Sequence, residues 1–382
     1  MKALKMFLLA ITVSLLTGCW NRIEVNDIAI VTAIGLDLVE DDMIRLSLQV
    51  AIPTKLGPTG GSKGGKERST FVISEKGATV SEAYRNLQMK LSRRVFFSQS
   101  RVLLIGEALA RRGIATIIDF YARFHQPRMN SFIMFTKGYA SEVIKNIPIL
   151  ESVSAEETKE LAKLSVGVKV YVRDFLNMLL TDGFEPFAPE YKLTPLEVDT
   201  KDDIGKIQVI NGAAVFKKDK LIGWMDDTET RGILWLRNEI EGGVISIKVP
   251  KNKGGGIISF DIIRSETKLL PILKDGQLKL KVKVTSEMIV TENYSKVVLL
   301  NQKNLEEIQK DIEKEIRTRI QLVVNSAQKE FQSDIFGFGQ AVYRKYPKAW
   351  NTVYKKNWDQ DFPKLEVKIH SKVYVRRIGL SK

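Results

Sequence analysis

The chain offers little to a metal or a disulfide, because its 382 residues include one cysteine and two histidines. One thiol cannot close an internal disulfide or build a thiolate cluster, and two imidazoles leave little for a zinc or iron site. No cofactor is expected. Long apolar runs are missing too. Beyond the first twenty residues the best candidates, 28–36 and 114–120, are short enough for a core strand or helix and fall well below the roughly 18 consecutive apolar residues of a spanning helix. Neither an HExxH pattern nor a Walker loop occurs. What is present is the composition of a folded chain, 44% hydrophobic and 27% charged, with room for two or three domains at about 100–200 residues each. Its charge is lopsided, with 59 Lys and Arg against 45 Asp and Glu for a net +14.

The first residues, MKALK, are basic, residues 6–16 are apolar, and Leu16, Thr17, Gly18 and Cys19 follow. A short basic start, an apolar stretch and small residues before a break read as a secretory signal peptide over 1–18. An aliphatic residue and two small ones ahead of a cysteine resemble a lipobox. Cleavage between Gly18 and Cys19 would leave the Cys19 thiol to carry a diacylglycerol. Each buried methylene contributes about 0.8 kcal/mol, so two or three acyl chains would hold the protein firmly on the outer face of a bilayer. Loss of Lys2 and Lys5 with the leader leaves a net +12.

The remaining charge is unevenly spread. Residues 19–200 carry a net +1 and residues 201–382 a net +11, which suggests separate folding units. A boundary is expected in 193–205, where Thr-Pro precedes a polar stretch with Asp199, Asp202 and Asp203. Before it, strands are expected at 28–36, 43–52, 71–74, 102–105 and 132–135, with helices at 81–93, 107–123 (broken at Gly113) and 171–180. Residues 53–69 hold five glycines and two prolines and read as a surface loop rather than a phosphate cradle. The fold class is α+β: multi-domain mixed sheets with packed helices, over 19–200, 201–264 and 265–382.

In the last part Leu278, Leu280, Val282 and Val284 alternate with Lys279, Lys281 and Lys283, an amphipathic strand with one basic face. Leu305, Ile308, Ile312, Ile316, Ile320, Val323 and Ala327 form an apolar helical stripe that can lie across an antiparallel-rich sheet. Leu365, Val367, Ile369, Val373 and Val375 mark a closing strand whose other face carries Lys368, His370, Lys372 and Arg376. His370, flanked by lysines, has no sequence neighbour that suggests a base role, and His125 precedes Pro127 as a structural histidine would. The acidic pairs Asp41-Asp42, Asp202-Asp203 and Asp226-Asp227 are adjacent turn residues, not a spaced carboxylate dyad. The basic residues lack interleaved stacking aromatics, so nucleic acid is not the expected partner. An anionic membrane surface is expected to meet Lys279, Lys281, Lys283, Lys368, Lys372 and Arg376, and a solvated outer face is the equally weighted alternative.

Longer stretches resemble one family. Cys19 to Glu24 (CWNRIE) and Ile30 to Asp37 (IVTAIGLD) are similar to the start of the Ger(x)C family, the C-subunit lipoproteins of spore germinant receptors. The likeness continues through VLLIGE at 102–107, RGI at 112–114, GAAVF at 212–216, LIGW at 221–224, ETRG at 229–232, FGFG at 336–339, and Tyr346, Pro347 and Trp350. The Gly-rich loop is a visible departure. The resemblance implies a non-enzymatic lipoprotein on the outer surface of the inner spore membrane, palmitate and diacylglycerol on Cys19, and assembly with two integral-membrane subunits. Glu229, Arg231 and Gly232 are expected to serve helix start and packing rather than a ligand. The alternative is a free-standing solute-binding lipoprotein, a class usually built of two similar repeated lobes around a cleft, and no such repeat is visible.

Overall fold

The computed structural model describes residues 3–7, 24–53, 69–124, 126–146, 151, 153–163, 167–195 and 206–378. Gly18, Cys19, His125 and most of the Gly-rich loop therefore lie outside the described residues.

Two mixed sheets organise the chain. The first contains β1 (Ile28–Leu38), β2 (Ile44–Ala51), β3 (Thr70–Gly77), β4 (Arg94–Phe96), β5 (Val102–Gly106), β6 (Phe132–Thr136), β7 (Phe187–Pro195), β8 (Lys206–Lys217) and β9 (Lys220–Met225). Its order is β3-β2-β1-β5-β6-β7-β8-β9, with β4 also beside β1. Contacts are parallel from β1 through β5 and β6 to β7, and antiparallel at both flanks. The acidic turn between β1 and β2 places Asp41 and Asp42 in the left-handed region at φ 57° and 58°, which short polar side chains tolerate. Helices α1 (Val80–Gln88), α2 (Glu107–Arg112), α3 (Ala115–Arg123), α4 (Ala140–Val143), α5 (Ser154–Lys163) and α6 (Val172–Leu180) accompany this sheet. Gly113 separates α2 from α3 at φ 126°, a backbone that only glycine adopts easily.

Both faces of the central strands are covered. Leu103, Ile105, Ile133 and Phe135 join the main core, while Val102, Leu104, Phe132 and Met134 join a smaller one with Ala140, Val143, Ile144 and Tyr191. Parallel strands buried on two sides read as unbroken apolar runs, as VLLIG and FIMFT do.

The second sheet has the order β10 (Val244–Lys248), β11 (Ile257–Lys274), β12 (Gln277–Asn293) and β13 (Glu366–Arg377). The first three strands are antiparallel and β13 runs parallel to β12. Helix α7 (Asp227–Leu236) packs on α8 (Gln302–Asn325), and α8 lies against β13 and β10. Its buried stripe is Ile308, Ile312, Ile316, Ile320 and Val323, the spacing expected from the sequence. A π-helical turn, Ser326–Phe331, and α9 (Phe338–Lys345) then lead toward β13. The α8 helix also guards the sheet edge, since Val373 N donates to Glu313 Oε1 at 3.2 Å and Val375 N to Gln309 Oε1 at 2.9 Å. Those two edge groups are thereby kept from pairing with another chain.

Two expectations are corrected, the extent of the helix at 81–93 and the division at 264. The helix placed at 81–93 stops at Gln88, and residues 89–93 turn the chain so that 94–96 pair with β1. The stretch 193–205, expected as a boundary, lies between β7 and β8 with 196–205 outside the described residues; because β7 and β8 pair antiparallel, the first sheet runs on past it to Met225. The division placed between 264 and 265 falls inside β11, where Arg264 and Ser265 pair with Glu287 and Ser286 of β12. The physical reason is a β-bulge at 262–264. The buried positions Ile258, Phe260 and Ile262 are even-numbered, whereas past the bulge Leu269 and Pro271 turn inward and Leu270 and Ile272 outward. One extra residue shifts the parity of a strand, and in sequence that shift resembles a break.

Candidate interaction surfaces and the family

The residues that carry the family likeness are occupied with packing. Asp37, buried in β1, accepts from Ala140 N at 2.6 Å and Ser141 N at 3.0 Å, holding α4 against the sheet. Burial pushes its carboxyl above the ordinary aspartate range, and the hydrogen bonds from Ser141 and Ala140 oppose that. Gly106 lies beside it, where a Cβ would sit 2.3 Å from Asp37 Oδ1. Glu107 reaches across to β9: Trp224 Nε1 donates to Glu107 Oε1 at 3.1 Å, and Lys137 sits over the Trp224 ring.

The ETRG stretch opens α7. Asp226 and Glu229 form a reciprocal capping box, with Glu229 N donating to Asp226 Oδ1 at 2.9 Å and Asp226 N to Glu229 Oε2 at 3.1 Å. Gly232 is the crossing point with α8, since a Cβ there would come within 2.5 Å of Val323 Cγ1. Arg231 is half-buried with no carboxylate within ion-pair distance among the described residues, and burial lowers its pKa, aided by Arg319 and opposed by Asp227.

The FGFG stretch closes a seam between the two regions. Asp334 accepts from Phe338 N at 3.0 Å, Gly339 N at 2.8 Å and Trp358 Nε1 at 3.0 Å, and its own carbonyl accepts from Glu185 N at 2.9 Å. Complete burial raises its pKa to about 6 against these hydrogen bonds. Trp350 packs on Trp358 and presses on Gly183.

The outer face of the second sheet is different, with no element of the described chain laid over it. Register places Lys268, Lys283 and His370 in one row, Leu270, Lys281 and Lys368 in the next, and Ile272, Lys279 and Glu366 in a third. All six expected basic residues thus belong to one surface. Four of them have carboxylate partners: Lys279 and Lys368 share Glu366 at 2.6 and 3.1 Å, Lys372 meets Glu313 at 3.3 Å, and Arg376 meets Glu287 at 2.6 Å. Lys281 and Lys283 have no carboxylate within ion-pair distance among the described residues and carry the unneutralised charge of the face. Leu270 and Ile272, 36% and 42% exposed, were not singled out from sequence. The bulge that turns them outward was the missing signal.

Elsewhere, an open groove of about 700 Å³ lies beside α3, where Asp42 pairs with Arg112 and Asp119 with Arg123. Among the described residues no cluster of three His, Cys, Asp or Glu is placed to hold a metal, and no helix is long and apolar enough to cross a membrane.

Such an arrangement is a scaffold, with two sheets joined by motif residues and one sheet face left open. Comparison with known proteins gives it a family. Residues 21–193 match the spore germination protein N-terminal domain, and residues 211–379 match the spore germination B3/GerAC-like C-terminal domain. The chain belongs to this family of spore germination proteins. Spore germination protein KC of Bacillus subtilis (strain 168) is 30% identical over 99% of this chain and 96% of its own length. Spore germination protein B3 of the same organism is 24% identical over 92% of each. The crystal structure of the GerBC protein shares the fold, with a TM-score of 0.58 at 20% identity over 90% of this chain and 97% of that one.

Proposed function

We propose that this chain is a non-enzymatic lipoprotein subunit of a nutrient germinant receptor. It is anchored through acylated Cys19 on the outer face of the inner spore membrane and assembled with two integral-membrane subunits. The supporting observation is that the family likeness covers nearly the whole chain while the motif residues that carry it are spent on caps, crossings and the seam. A surface left for a partner is the open face of the second sheet. Lys279, Lys281, Lys283, Lys368, Lys372 and Arg376 turn that face toward the anionic bilayer, with Lys281 and Lys283 the least neutralised.

The test is genetic. Spores carrying Cys19→Ala are expected to lose nutrient-triggered germination while germinating normally with a receptor-independent trigger. Normal nutrient germination, with the other receptor subunits at normal levels, would remove the need for the anchor. Micromolar binding of an amino acid, sugar or nucleoside to the isolated full chain would instead favour a free-standing solute-binding lipoprotein.

A further inference from the structure

The three most exposed large apolar side chains described in the C-terminal half are gathered on one loop. Tyr294, Val298 and Leu300 are 74%, 61% and 70% exposed, and Ile257 beside them is 47% exposed. Burial is what such side chains ordinarily gain from folding, and here the backbone is built to deny it.

The loop after β12 is tied internally. Asn293 Oδ1 accepts from Ser295 N at 3.0 Å, Asn293 Nδ2 donates to Val297 O at 3.1 Å, and Asn304 Nδ2 donates to Val298 O at 3.0 Å. Leu299 is buried as the peg, so its neighbours Val298 and Leu300 point away from the core. The turn between β10 and β11 abuts this loop, with Tyr294 N donating to Ile257 O at 2.8 Å and Lys296 N to Gly254 O at 3.2 Å. A Cβ at Gly256, where φ is 85°, would fall 2.0 Å from Tyr294 O, so only glycine permits this approach.

The charges on the two tip segments themselves are all basic, although Glu292 precedes the loop and Glu307 and Asp311 of α8 lie beside Lys253 and Val298. Residues 248–257 and 294–303 hold Lys248, Lys251, Lys253, Lys296 and Lys303 and no Asp or Glu. Lys253 is paired from outside, with Glu307 of α8 at 3.0 Å.

We propose that this loop pair is a membrane-insertion tip, in which Tyr294, Val298, Leu300 and Ile257 enter the boundary between headgroups and acyl chains of an anionic bilayer while the lysines stay among the headgroups. Two observations favour lipid over a protein partner. Lysine is depleted from protein–protein interfaces, whereas each Lys near an anionic leaflet is attracted to it. The apolar groups also protrude singly from a basic rim, as in interfacial anchors with an aromatic at headgroup depth. The inference deepens the membrane-associated reading above and rests on it for the presence of a bilayer, but its test does not use the anchor.

In the full chain with Cys19→Ala, Val298→Cys supplies the sole thiol for an environment-sensitive fluorophore. Asp275→Cys, in the turn at the far end of β11 and β12, serves as the control. On vesicles of phosphatidylglycerol and phosphatidylcholine the label at 298 is expected to shift to the blue and to be quenched by lipid-borne quenchers, and the label at 275 is not. Tyr294→Ser with Leu300→Ser should weaken partitioning by about tenfold or more, with an unchanged thermal melt. A label at 298 that stays in water on these vesicles overturns the proposal. So does one that is shielded only when the integral-membrane subunits are present, which would make the tip a protein contact. A germination defect in Cys19→Ala spores bears on the anchor alone and leaves this outcome independent.

Discussion

The two sheets use their apolar residues in opposite ways. In the first, helices close both faces, β5 and β6 are buried at every position, and the motif residues Asp37 and Gly106 sit where no partner reaches them. In the second, α8 closes one face and leaves the other open, so the same kind of strand alternates inward Leu280, Val282 and Val284 with outward lysines. A two-faced core gives rigidity and no surface. A one-faced core gives a surface whose composition is free to change.

The contrast can be broken first at its strongest point. Ile316→Ala, in the fully buried stripe of α8, should destabilise the protein by about 2–5 kcal/mol, while Ile272→Ala on the open face should stay within about 0.5 kcal/mol in urea unfolding. Equal losses would mean that the open face is covered.

The seam between the regions offers a pH test. Asp334 has a folded pKa raised above its unfolded value, so the native state prefers it protonated. The stability this confers is full below about pH 4 and fades as pH rises through about 6. Relative to Asp334→Asn, the wild type should gain about 2–3 kcal/mol on going from pH 7 to pH 4. A pH-independent difference in melting temperature between the two would show that the carboxyl does not titrate in that window.

In the first sheet, Gly106→Ala puts a methyl against the Asp37 carboxylate and should cost about 1–3 kcal/mol. A silent substitution would show that the sheet can yield there, and with it the rigidity claimed for a two-faced core. The smallest expected effect on stability is Lys281→Glu with Lys283→Glu, within about 0.5 kcal/mol. The same pair should reduce binding of the full chain to anionic vesicles and weaken its salt dependence. Unchanged flotation would leave these lysines as a solvated face.

Much of this was legible in sequence because it depends on local periodicity. The alternation in 278–284 gave β12 and its basic face, the three-and-four spacing from Leu305 gave α8, and Gly113 gave the break between α2 and α3. Partner choice was not legible. Nothing in residues 89–96 indicates that the helix has ended and that 94–96 lie beside β1, and nothing in residues 365–375 indicates a parallel pairing with β12. The residues of the family likeness could be listed in order, but not that Glu107 meets Trp224 or that Asp334 holds the start of α9.

The chain by itself determined the strands and helices, the placing of most of the charge after residue 200, and the family, since each is written in neighbouring residues or their order. Tertiary structure decided which sheet face is closed, which lysines are neutralised, and that Tyr294, Val298 and Leu300 are left outside. Those outcomes depend on elements far apart in sequence arriving at one place: Glu366, Glu313 and Glu287 reach the basic face from three different elements, and a one-residue bulge in β11 turns Leu270 and Ile272 onto it.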